Sequence, residues 1–75
     1  MALVTLYMIQ TFVETDEGLV EEELFEVRSA GDARIKAQLL SQRKAGVVAW
    51  ARRGDPDAGA WDDPVILFKA GKTGD

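Results

Sequence analysis

Apolar side chains occupy both parities of residues 3–13, with Val4, Leu6, Met8 and Phe12 on one and Leu3, Tyr7, Ile9 and Val13 on the other. Extended backbone sends successive side chains to opposite faces, so this segment needs cover on both sides and reads as a central strand. Its fold is thereby limited to a sheet with at least one face packed. The turn sequence Thr15-Asp16-Glu17-Gly18 follows, and a second apolar run over residues 19–27 completes a predicted β-hairpin. Glu21, Glu22 and Glu23 in succession would fall on both faces of the second strand, which suits a sheet edge whose charges discourage edge-to-edge association.

Ser29 stands where an N-cap belongs, Asp32 lies in the first turn, and the segment through Lys44 is dense in strong helix formers. Gly46 is the expected stop signal, just after Arg43 and Lys44. On a helical wheel Ala30, Ala33, Ala37 and Leu40 share one arc, while Ile35 and Leu39 share another. The favoured expectation is that the helix rolls to bury Ile35, Leu39 and Leu40 with the alanines against one sheet. The alternative is that one arc packs in-house and the other meets a partner, such as a second copy. Residues 47–53 and 65–70 read as two further strands around a Gly-, Pro- and Asp-rich loop over 54–64. The expected fold is therefore α+β: ββαββ, a four-stranded mainly antiparallel sheet with one helix packed on one face. It forms a single domain over residues 1–75, ordered from about 2 to 70, with 71–75 frayed. Trp50, on the bulky parity of the third strand, is expected in the core, with an interface role as the alternative.

Seventy-five residues without a cysteine leave a small core and no disulfide to reinforce it. Histidine is absent as well, so Ser-His and Cys-His nucleophile pairs and His-ligated metal sites are excluded. The apolar N-terminal run lacks a basic n-region and a small-residue cleavage site, and no stretch reaches the length that crosses a bilayer. A cytoplasmic location with no membrane partner is the resulting expectation. The net charge of -4 hides a sorting: residues 1–27 are purely acidic in charge, residues 28–53 mainly basic, and the remainder mainly acidic again.

Four constellations bear on chemistry. Asp55-x-Asp57-x-Gly59 with Asp62 and Asp63 loosely resembles a calcium loop, but the bidentate Glu and the flanking helices are missing, so turn chemistry is the expectation. Gly71-Lys72-Thr73 ends like a phosphate-binding loop without its first glycine or its helix. Arg34, Lys36, Arg43, Arg52 and Arg53 are candidate contacts for a nucleic acid backbone, provided that folding gathers them on one surface. Glu21 to Glu26 and Asp55 to Asp63 hold many carboxylates, yet nothing singles out an acid–base pair.

Ala49-Trp50, Gly54-Asp55-Pro56 and Pro64-Val65-Ile66-Leu67-Phe68 form a pattern that resembles small uncharacterised bacterial proteins. The resemblance implies a bacterial origin and brings no activity, ligand or functional residue with it. The reading of the residues is a non-enzymatic binding or interaction module without a cofactor, self-associating as a homodimer or joining another protein. Trp50, Trp61, Ile35 and Leu39 are its candidate anchors. A nucleic-acid-binding protein is the first alternative and a small carboxylate-dependent enzyme the second.

Overall fold

The strand that needs cover on both sides does lie inside the sheet. In the computed structural model, which describes residues 3–73, β1 (Val4–Thr15) pairs on one side with β2 (Gly18–Val27) and on the other with β3 (Gly46–Asp55). Between β2 and β3 runs the only helix among the described residues, α1 (Ala30–Leu40), and the chain ends with β4 (Ala60–Trp61) and β5 (Val65–Gly71). Every pairing is antiparallel, and β4 and β5 lie one after the other along the free side of β3. The result is the expected α+β fold of ββαββ order with one small added strand, its sheet curled into a half-barrel. β2 is an edge, as its glutamates suggested.

Helix α1 lies over β3, β5 and β1. Its small arc makes the close approach: Ala33 and Ala37 are fully buried against Ile9, Val47, Ala49 and Val27, with Tyr7, Phe25, Leu40, Leu67 and Phe68 packed around them. Only Ile9, Val27 and Val47 in that buried cluster are larger than alanine. Each contributes about 1.5–3 kcal/mol by leaving water, which makes this a thin core for a domain of this size.

Several expectations need correction. Ile35 and Leu39 are not rolled into the core but stand 63% and 60% exposed on the outer side of the helix. Alanine-sized contacts let the helix sit close to the sheet; of its larger apolar residues Leu40 packs at the border of the core, and Ile35 and Leu39 lie on the arc that faces away from it. The helix ends at Leu40 instead of continuing through Lys44: the Ser41 hydroxyl donates to the Gln38 carbonyl at 2.6 Å, and the Arg43 and Lys44 amides both turn back to the Leu40 carbonyl. Gly46 is no helix stop; it opens β3, paired with Phe12 on one side and Gly71 on the other. A Cβ there would overlap the Lys72 backbone carbonyl, so the position has to be glycine for the C-terminal segment to cross it.

That crossing also revises the frayed tail. Gly71 takes a positive φ of 73°, the Lys72 amide donates to the Ala45 carbonyl at 2.9 Å, and the Lys72 ammonium meets Glu14 at 2.8 Å. Residues 74 and 75 lie outside the described residues, as do 1 and 2. The predicted loop over 54–64 is interrupted by a short ladder. Gly54 pairs with Trp61 and Asp55 with Ala60, so β3, β4 and β5 form one long hairpin. Its turn is residues 56–59, and the ladder is displaced at residues 62–64 and again beside Leu67.

Candidate functional site

The helix covers only one face of the sheet. Register identifies the side chains of the other, because Cα partners in an antiparallel ladder point the same way. Met8 is opposite Glu26 on β2 and opposite Trp50 on β3, and Trp50 is opposite Ile66 on β5. Ile9 and Ala49, one residue along from Met8 and Trp50, are in the core under the helix. The row Glu26–Met8–Trp50–Ile66 therefore lies on the face without a helix. The next row is Leu24–Gln10–Val48–Lys69, and Leu6 with Arg52 lies on the other side of the first.

This face is apolar along its middle. Met8, Val48 and Trp50 are half-buried by their neighbours, and Leu24 and Ile66 stand 57% and 55% exposed. The segment after Gly71 crosses it at the Gly46 end, where Gln10 and Phe12 on the same face are buried. Its margins are charged with opposite signs. Glu26 and Glu21 mark the β2 side, Arg52 lies on β3 and Lys69 on β5. Trp61 extends the face beyond β5: its ring covers Gly54, where a Cβ would come within 2.6 Å of it. Arg52 lies 5.9 Å from the Trp61 ring centroid, while its Nε donates to the Asp62 carbonyl at 2.9 Å.

The structure thus divides the four predicted anchors between two surfaces. Trp50 and Trp61 belong to the uncovered sheet face, and Ile35 and Leu39 to the outer side of the helix, across the thickness of the molecule. Trp50 is not a core residue, because the alanines on either side of it, Ala49 and Ala51, turn toward the helix side and leave the indole on the other. Met8, Leu24 and Ile66 escaped sequence reasoning. The signal for Met8 and Ile66 was their shared register with Trp50, which only the pairing of strands reveals.

The basic candidates are dispersed. Arg34 is exposed on α1, Lys36 pairs with Asp32 at 3.3 Å, and Arg43 is in the turn after the helix. Arg53 shares a face with Thr5 under the helix side, and Arg52 points to the uncovered face. Lys44 is bound to Glu22 at 2.7 Å. The acidic loop is a turn, in which Asp55 Oδ1 accepts the Asp57 amide at 3.0 Å and the Ala58 amide at 3.4 Å. Among the described residues no group of three acidic, Cys or His side chains could hold a metal ion. No acidic residue among the described residues is buried.

The Glu22 carboxyl is perturbed with a clear cause. The hydrogen bond from Lys44 holds its pKa below the ordinary value of 4.5; loss of solvent, the next largest influence, works the other way, and the Lys44 charge and the Thr11 hydroxyl add to the lowering. On the helix side, an open cleft of about 400 Å3 lies between the start of α1 and the ends of β1 and β2, lined by Tyr7, Arg28, Asp32 and Lys36 among others. Glu26, on the β2 edge, borders this cleft as well as the uncovered face. No helix among the described residues is long and apolar enough to cross a membrane. No protein-family model, curated protein or solved structure matches the chain.

Proposed function

We propose that this chain is a non-enzymatic interaction module that pairs with a second copy of itself through the uncovered sheet face. The observation that carries the reading is the row Met8–Trp50–Ile66, apolar and bare on a sheet whose other face is packed. A sheet buried on one side only normally presents polar residues on the other, and a contiguous apolar patch of this kind marks a contact surface. The thin core adds a second argument. With alanine filling half of the buried cluster, the domain gains stability by burying a further layer on the side that its own chain leaves open.

Size supports the reading too. The molecule extends over 46 × 25 Å in its two longer directions, more in projection than the roughly 800 Å2 per partner that a standard interface buries. Sedimentation equilibrium over a wide concentration range at two salt levels is the test. A dimer that persists in high salt is the expected result, since apolar contact is not screened. A monomer throughout, up to high micromolar concentration, would remove the reading.

A further inference from the structure

Two sheet faces can stack about a two-fold axis in two ways that differ in which strands meet. An axis along the strands turns the order over, so that β2 of one copy lies against β5 of the other. An axis across the strands would set β2 against β2. Charge separates the two arrangements, because the β2 margin of the uncovered face carries Glu21 and Glu26 while Arg52 and Lys69 lie on the β3 and β5 side. The crosswise axis brings glutamates onto glutamates. The lengthwise axis brings them to cations, and like-charge juxtaposition is the costlier error at an interface.

Resting on the dimer reading above, we propose that the module assembles about a two-fold axis that runs along the strands between β1 and β3. Each row then lies opposite itself with its order reversed. Met8 of one copy packs on Trp50 of its partner, and the reciprocal contact repeats it, which gives two sulfur–aromatic contacts at the centre of the interface. Glu26 comes opposite the partner's Ile66, one row away from Lys69 and from Arg52. With sheets about 10 Å apart and a row spacing of about 6.8 Å, two long side chains span that offset. The uncovered face is thus self-complementary in shape of pattern and in sign: apolar on apolar at the axis, acid on base at the rims.

Charge reversal tests the axis separately from the dimer. Glu26→Lys and Lys69→Glu each turn two symmetry-related attractions into repulsions, and each should weaken dimerisation about tenfold or more in sedimentation equilibrium at low salt. The double variant E26K/K69E restores the pairing with the signs exchanged and should recover most of the loss. Mixing the two single variants should rescue association as well, since in a mixed dimer one copy contributes lysine at both rims and the other glutamate at both, so that both rim contacts are complementary. If both single variants dimerise like the parent protein, or if the double is no better than the weaker single, the lengthwise axis is wrong although the dimer stands. If the parent protein never dimerises, the proposed function fails first, and the axis with it.

Discussion

The Thr11 hydroxyl accepts the backbone N–H of Glu23 at 3.1 Å, so that a fully buried side chain of β1 serves the strand beside it. The register between β1 and β2 shifts here, with Glu22 and Glu23 both opposite Thr11. Such a bulge leaves ladder groups without backbone partners. Thr11 supplies one of them, and Gln10 supplies another by donating from Nε2 to the Glu23 carbonyl at 2.8 Å. The run of three glutamates thus contains a bulge as well as an edge.

Thr11→Val keeps the shape of the side chain and removes the acceptor. The Glu23 amide is then left without its partner, and unfolding by denaturant should show a loss of about 1–3 kcal/mol. Thr11→Ser retains the hydroxyl and should recover part of the difference, at the cost of a lost methyl group. A valine variant as stable as the parent would mean that water serves the amide equally well.

Glu22 gives the pH dependence its direction. Its carboxyl is held below 4.5 in the folded protein by Lys44 first and by Thr11 in addition. The unfolded chain therefore binds a proton more readily, and folding gains from this group at any pH above 4.5. That gain is lost as the pH falls through the lower, folded value. In an NMR titration of the side-chain carboxyls Glu22 should titrate below 4.5, and Lys44→Met should move it upward. An unmoved midpoint in that variant would rule out Lys44 as the cause.

Gly46 is the tightest point on the uncovered face. Adding a methyl group places it against the Lys72 backbone, which cannot give way as a flexible side-chain end would. Gly46→Ala should cost about 1–3 kcal/mol in overpacking and speed hydrogen exchange at the Lys72 amide, which bonds Ala45. Lys72→Ala removes only the exposed pair with Glu14, worth about 0–1 kcal/mol. Equal effects from the two variants would show that the side chain, not the backbone crossing, holds the segment.

Much of the fold was legible because its signals are local. Apolar residues on both parities marked β1 as central, Ser29 marked the helix start, and its hydroxyl does accept the Asp32 amide at 3.1 Å. What could not be read depends on partners distant in sequence. Gly46 resembled a helix stop because nothing in residues 29–46 announces Lys72 passing over it. The Asp-rich segment resembled a loop because its pairing of Gly54 with Trp61 is set by the ladder before and after it. Likewise the wheel of α1 displayed two apolar arcs without saying which one the sheet would accept, and the alanine arc won through its small size. The site was half legible: Trp50 and Trp61 could be named, but their separation from Ile35 and Leu39 could not.

That separation yields a prediction with opposite outcomes on the two sides of the molecule. Ile66→Glu and Leu24→Lys alter residues more than half exposed on the uncovered face, so each should leave the monomer folded within about 0.5 kcal/mol. Both place charge in the apolar middle of the proposed interface, and each should weaken dimerisation by about tenfold or more. Ile35→Glu and Leu39→Lys are equally exposed on the outer side of α1 and should leave the dimer untouched. Sedimentation equilibrium of the four variants, with circular dichroism to verify folding, reads the contrast directly. Dissociation by the helix variants with none by the sheet variants would transfer the interface to α1 and refute the assignment of the uncovered sheet face.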